Sequence, residues 1–477
     1  MTSIETETAK GIRIRDIENL KYTKTLRDIS GERPVTVSVV IPTFNKDDCT
    51  YNRALQRVLE RTCNLVDKGI VDEIVIAEGS RLEDGSPDYG FIEFILAVAM
   101  KHCSTFNNEV RFVQSMPEGR FKALQGRFDF SVRIMNQVDP DLHRIFLDRE
   151  LLTRDELEVL KQGKGANMWF SVPVTYGDII CFIDSDILSF NERYIMGLVK
   201  PILEGWGKQN PKNCDSNTVF TKATYLRRHK ISRGFKLGGR LSRLAARPLF
   251  KTLADRGIYV GLEDLTYPFS GEVAFSRDVM NSISFSNSYD IETSVLCQLW
   301  KNVGPEMMKQ VYLGYFQHIP GDENHVTNML GEISKAFHFW VRENGFEDQI
   351  GDINEFLNAY ERNAEELIEH EYSNTKQRTK GKIKYRASDR KVDVERIKKY
   401  REIIHEGFTE SGDYSPDLLT PWGDIKRKLN SQMGFSYNDL KTVLQARVNR
   451  FTSDTILSHI KIQIDRTAEI IDSYCEH

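Results

Sequence analysis

The feature that most constrains the fold is an alternation. A β-branched run, "PVTVSVVIPTFN" (34–45), ends at a proline and an asparagine and is followed by the helical pattern "YNRALQRVLERTCNLVDKG". "VDEIVIAEGS" (71–80), the apolar "FIEFILAVAMKHC" and "EVRFVQ" (109–114) continue it as strand, helix and strand. Short apolar strands joined by amphipathic helices bury both of their faces in a parallel α/β sheet with right-handed crossovers. "GDIICFIDSDILSF" (177–190) is expected as the fourth strand of that sheet, with two aspartates at its carboxyl end. In open parallel sheets that end is where ligands bind.

The 477 residues, 40% hydrophobic and 28% charged, suffice for one large domain and a smaller one. A formal charge of −4 argues against a general nucleic-acid binder. Seven scattered cysteines, with no Cys-x-x-Cys and no zinc-ligand spacing, are expected as reduced thiols in a cytoplasmic protein. No stretch approaches the roughly 20 apolar residues of a membrane span. The expected divisions are a polar leader (1–33), an α/β domain (34–344) with a helical insert (115–160) and a basic segment (216–254), and a charged helical region (345–477).

Asp184 and Asp186 are two positions apart, so in an extended segment both face one side while Ser185 faces the other. Two hard oxygen donors on one side suit Mg²⁺ or Mn²⁺, which complete their shells with phosphate oxygens and water. An isolated pair of this kind is more often a surface turn, but four other features accompany it. "GKGANMWFS" (163–171) sets Lys164 in a glycine loop at a helix start, able to reach a phosphate, although its spacing is not that of a P-loop. "SGEVAFSR" (270–277) carries Glu272, which taken alone reads as an edge-strand glutamate. "VYLGYFQHIPGDENH" (311–325) ends a strand-like run at His318, placed to add an imidazole to a metal site.

The fourth is charge. From Ser216 to Ala254 there are ten Lys or Arg and no Asp or Glu, which leaves 55 of the 65 basic residues against 69 acidic ones elsewhere. Within it, "LGGRLSRLAARPL" puts two glycines before Arg240 and Ser242, a nest for a phosphorylated or carboxylated small molecule. A solvated basic face and an RNA strip compete with that reading, but only Tyr225 and Phe235 offer stacking platforms for RNA.

The order of these motifs, from about Val37 to about His318, resembles the retaining glycosyltransferases that make glucosyl-3-phosphoglycerate and their mannosyl-transferring relatives. The resemblance implies a GT-A fold (Rossmann-like, of the nucleotide-diphospho-sugar transferases) with a C-terminal α-helical appendage. It further implies a UDP-glucose donor, a 3-phosphoglycerate acceptor, Mg²⁺ or Mn²⁺ as cofactor and a homodimer. Pro42, Thr43, Asn45, Glu78, Ser80, Lys164, Asp184 and Ser185 then correspond to donor-nucleotide contacts, and Asp186 and His318 to metal ligands. Glu272 corresponds to a contact to the transferred sugar, with Asp184 and Lys164 beside it in the catalytic set. Gly239, Arg240 and Ser242 correspond to acceptor contacts. Around His318 the chain departs from the family pattern, with Phe316, Ile319 and Pro320 in place of arginine and asparagine.

Three alternatives stay open at this level: a GDP-mannose donor or another acid or sugar acceptor on the same fold, a nucleotidyltransferase, and a non-catalytic sugar-nucleotide-binding scaffold. The glycine-rich first loop expected of a nucleotidyltransferase is missing after "VVIP".

Overall fold

The structure, a computed structural model, describes residues 4–8, 34–117, 119–120, 126–206, 218–232, 234–319, 323–410, 412, 414–431, 434–460 and 467–475. Most of the polar leader, Cys214 and Pro320 therefore lie outside the described residues. In chain order the strands are β1 (Glu5–Thr8), β2 (Val37–Thr43), β3 (Glu73–Glu78), β4 (Val132–Asn136), β5 (Ile179–Phe182), β6 (Phe220–Ile231), β7 (Gly234–Leu237), β8 (Val273–Ser276), β9 (Phe285–Ser286), β10 (Met308–Phe316), β11 (Ile383–Lys384) and β12 (Leu418–Leu419). The chain divides into two compact units. The larger is built from 34–220, 272–285 and 419–475, the smaller from 4–8, 221–271 and 286–418. The helical region 345–477 is thus shared between the two.

The expected parallel α/β sheet forms in the larger unit. Its strand order is β8-β5-β2-β3-β4. The pairs β2/β3, β2/β5 and β3/β4 are parallel, with Val39 opposite Ile74, Val40 opposite Phe182 and Ile74 opposite Val132, and β8 runs antiparallel to β5. Nearly every residue of β2, β3, β4 and β5 is buried, as both faces of a helix-covered parallel sheet require. The helix Cys49–Asp67 connects β2 to β3; Asp48 caps it by accepting from the Thr50 and Tyr51 amides. From β2 the chain builds outward through β3 and β4, then returns to the other flank of β2 as β5. The carboxyl ends of β2 and β5 therefore flank the topological switch point of the sheet, where a crevice opens between oppositely directed connections.

One expected strand is elsewhere. "EVRFVQ" lies within the helix Ser104–Ser115, whose buried residues Phe106, Val110 and Val113 repeat at helical spacing. The third parallel strand is "VRIMN" at 132–136, inside the segment expected as a helical insert. The remainder of that segment does contain short helices, Pro140–Asp148 and Arg154–Leu160.

In the smaller unit, β1, β10 and β6 lie side by side, with β1 parallel to β10 and Glu5 opposite Lys309. A hairpin joins β6 to β7, and β11 pairs with β7. The helices Glu323–Glu343, Ile353–Arg378 and Ala387–Thr409 surround the basic segment. Gly407 lets two of them cross closely, since a Cβ there would fall 2.4 Å from Cβ of Ser334.

Candidate functional site

In the larger unit, β2, β3 and β5 deliver the proposed donor-side residues to the carboxyl edge of one sheet. The inside-outside alternation of β5 continues past its end. Ile183 and Ser185 are buried, whereas Asp184 and Asp186 are partly exposed. Both carboxylates thus stay partly exposed while Ser185 turns in, although Ser185 and Asp186 already lie in a turn beyond β5, where the i, i+2 rule of an extended strand no longer governs. Ser185 turns inward, its hydroxyl 2.9 Å from that of the buried Tyr51, which also accepts from the Phe44 amide at 3.2 Å.

Lys164 begins the helix Lys164–Val174, directly after Gly163 at φ 91°, a left-handed backbone that glycine adopts without strain. Its ammonium lies 2.7 Å from Asp184 Oδ1. A second ammonium, Lys46 in the turn after β2, lies 3.7 Å from Asp186 Oδ2 and 4.9 Å over the Tyr51 ring. Lys46 was not among the residues expected here, although its position next to Asn45 was the available signal.

Asn45 is held from three directions. Its amide donates to Ser80 Oγ at 2.6 Å, its Nδ2 donates to Asp88, and its Oδ1 accepts from the Asp47 amide. Ser80 is correspondingly buried, Thr43 is also buried, and Pro42 is half-buried between Ile41 and Thr43. Glu78, the last residue of β3, is fully buried, with Oε1 accepting from the Ser80 amide at 2.5 Å and Oε2 from Asn136 Nδ2 at 2.6 Å. Burial pushes its carboxyl up to about 8 despite these donors, which favour the anion. The folded protein then keeps a proton that the unfolded chain releases near 4.5, so stability falls as pH rises from there to about 8. Glu78→Gln is expected to flatten this fall. Urea unfolding at pH 5 and pH 8 measures it, and an unaltered pH dependence rejects it.

Glu272 stands just before β8 and is fully buried. The Cys181 thiol is pushed up first by its own complete burial and then by the nearby Glu272 carboxylate, so that thiol is no nucleophile. The six described cysteines are all free thiols.

In the smaller unit the basic segment meets acids far away in sequence. Arg240 pairs with Glu323, on which Arg396 also converges at 3.2 Å. Arg243 is buried, 2.6 Å from Glu371 and 3.1 Å from Asp393, and two carboxylates so close outweigh desolvation and hold its guanidinium firmly charged. Lys236 lies 2.7 Å from Asp389, and Lys251 pairs with Asp255. Four of the ten basic side chains, Lys236, Arg240, Arg243 and Arg247, are thus paired with carboxylates of the surrounding helices. Gly239 has φ 79°, and a Cβ there would meet the Tyr267 ring at 2.9 Å. Ser242 is buried in a π-helical turn, Ser242–Ala246.

His318 lies two residues beyond β10, half-buried. Its Nδ1 contacts the Ile319 carbonyl and lies 3.2 Å from Arg227 Nη2. A carbonyl only accepts and a guanidinium only donates, so Nδ1 serves one at a time. Facing the carbonyl it carries the proton, and Nε2 then holds the lone pair. Phe316, where the family commonly has arginine, stacks on Tyr225 with centroids 3.8 Å apart and planes 4° apart. Tyr225 in turn packs on Tyr267, whose hydroxyl accepts from Arg227 at 3.0 Å.

Among the described residues, no three His, Cys, Asp or Glu side chains converge on a metal-sized site, and no helix is long and apolar enough to cross a membrane.

The chain has named relatives. Glucosyl-3-phosphoglycerate synthase from Mycobacterium tuberculosis is 27% identical over 307 residues, 63% of this chain and 70% of that protein. Proteins of the same name are 30% identical over 177 residues in Petrotoga mobilis (37% of this chain, 50% of that protein) and 22% over 345 residues in Persephonella marina (67% and 80%). Among solved structures, that of the M. tuberculosis synthase with Mn²⁺, UDP and phosphoglyceric acid aligns with TM-score 0.46 and 21% identity, over 71% of this chain and 87% of that one. Mannosyl-3-phosphoglycerate synthase from Rubrobacter xylanophilus aligns with TM-score 0.47 and 21% identity, over 72% and 82%. No protein-family model matches the chain. By sequence the chain is a homologue of enzymes named glucosyl-3-phosphoglycerate synthase, as the order of its motifs implied.

Proposed function

We propose that the chain is a metal-dependent retaining glycosyltransferase of GT-A type that moves glucose from UDP-glucose to the 2-hydroxyl of 3-phosphoglycerate, giving glucosyl-3-phosphoglycerate. The observation that carries this reading is the pair Asp184 and Asp186, partly exposed at the switch point of the sheet, with Lys164 2.7 Å from the first. The sequence relatives support the choice of donor and acceptor.

The donor set fits a hard divalent cation. Asp186 offers carboxylate oxygens, and Mg²⁺ and Mn²⁺ commonly take one or two protein carboxylates and finish their shells with phosphate and water. Asp186 is proposed to hold it in the larger unit, and the family resemblance alone proposes His318, a residue of the smaller unit, as a further ligand. When bound, the cation supplies positive charge against the diphosphate that leaves. Lys164 adds a fixed ammonium for the same group and orients Asp184 toward ribose or sugar. Pro42, Thr43, Asn45, Glu78, Ser80 and Ser185 are proposed to line the nucleoside pocket, and the hydrogen bonds of Asn45, Glu78, Ser80 and Ser185 hold the loops after β2, β3 and β5. Glu272 is proposed to bear on the transferred sugar. Retention is assigned to front-face transfer, in which a leaving phosphate oxygen takes the proton of the acceptor hydroxyl and no enzymic nucleophile is needed.

Gly239, Arg240 and Ser242 are proposed to receive the acceptor. One observation favours a second reading, in which the acceptor is a different acid or sugar. Arg240 already pairs with Glu323, so an incoming phosphate must displace a carboxylate. The deciding experiment incubates the protein with a pool of UDP- and GDP-sugars, 3-phosphoglycerate, glycerate and Mn²⁺, and identifies the product by mass spectrometry. Glucosyl-3-phosphoglycerate is expected. Glucosylglycerate or a mannosyl product replaces the acceptor or donor, and absence of any glycosylated product removes the reading.

A further inference from the structure

We infer that Lys46 is a built-in counter-ion of Asp186, which makes binding of the divalent cation depend on prior or joint binding of a nucleoside diphosphate. This rests on the reading of Asp186 as a metal ligand.

The turn that carries Lys46 is held on both sides. Before it, Asn45 is fixed by Ser80 and Asp88. After it, Asp47 adopts a left-handed backbone (φ 47°) and donates its amide to Asn45 Oδ1, and Asp48 caps the next helix. The Lys46 ammonium is then presented 3.7 Å from Asp186 Oδ2 and 4.9 Å over the face of Tyr51. Tyr51 is itself locked to Ser185, the residue between the two aspartates. With Lys164 on Asp184 and Lys46 on Asp186, each carboxylate carries its own ammonium, and the four formal charges cancel.

A cation arriving alone at Asp186 must displace Lys46 or sit beside it against its repulsion. Lys46 is half-exposed, so it can leave Asp186 without unpacking, and the ammonium that leaves needs an anion beyond the neighbouring Asp48, whose carboxyl it already helps to hold low. A diphosphate supplies that anion. The displaced ammonium moves onto a phosphate oxygen while the cation takes its place on Asp186, so nucleotide and cation each raise the other's affinity.

The test is Mn²⁺ titration, with free Mn²⁺ read by electron paramagnetic resonance, for wild type, Lys46→Met and Lys46→Arg, with and without UDP. Lys46→Met is expected to bind Mn²⁺ about fivefold more tightly in the absence of UDP. The factor by which UDP improves Mn²⁺ affinity falls in that variant, and Lys46→Arg keeps the wild-type behaviour. Equal or weaker nucleotide-free Mn²⁺ binding by Lys46→Met, while wild type binds Mn²⁺ with UDP, overturns the role of Lys46 alone. A wild-type protein that takes up no Mn²⁺ even with UDP overturns the metal reading of Asp186 as well.

Discussion

Arg133→Met is expected to destabilise the protein by about 3–5 kcal/mol, the cost of leaving a carboxylate uncompensated in a dry interior. Arg133 and Glu73 are both completely buried on the adjacent strands β4 and β3, and they form an ion pair. Arg133 Nη2 also donates to the Val174 carbonyl at 2.8 Å, and Nη1 to Asn449 Oδ1 at 3.3 Å. Glu73 Oε1 accepts from the Tyr176 amide at 2.6 Å and from the Ser38 hydroxyl. Removing only the cation strands the anion, whereas Arg133→Met with Glu73→Gln removes both charges. The double variant is therefore expected to recover much of the lost stability. Urea unfolding of the three proteins measures this, and a double variant less stable than the single one contradicts the account.

Asp186→Ala is expected to lower kcat for UDP release by about 10²–10³-fold in the presence of Mn²⁺ and 3-phosphoglycerate. It is also expected to abolish the response to added Mn²⁺. Asp186 is partly exposed, outside any strand or helix, and in contact with an exposed lysine, so its loss removes little packing. The melting temperature of the variant should stay within about 3 °C of wild type. Unchanged Mn²⁺-dependent turnover by the variant removes the metal assignment. A large drop in melting temperature instead gives Asp186 a structural role.

Much of the architecture is legible in local pattern. The strands at 37–43, 73–78 and 179–182 are built on the apolar runs 39–41, 74–77 and 179–182, and a sheet covered on both faces demands such runs. The strand at 132–136 is not, and its polar residues explain why. Arg133 is neutralised by Glu73, and Asn136 is hydrogen-bonded to Glu78, each partner lying almost 60 positions earlier. A strand whose polarity is compensated across the ladder carries no hydrophobic signature of its own. "EVRFVQ" shows the converse: valine and phenylalanine alternate with charge, yet Phe106, Val110 and Val113 form the stripe that is buried.

At the candidate site, the sequence alone determined that Asp184 and Asp186 follow the end of a sheet strand, because a continuous apolar run gives way to carboxylates there. It likewise placed Lys164 in a glycine loop at a helix start. Only the tertiary structure decided how charge is distributed around these groups. Ten basic residues in a row of acid-free sequence looked like an open anion site. Folding brings Glu323, Glu371, Asp389 and Asp393 against Arg240, Arg243 and Lys236, and brings Lys46 against Asp186. Electrostatic interaction depends on distance in space and on desolvation, neither of which follows from separation along the chain.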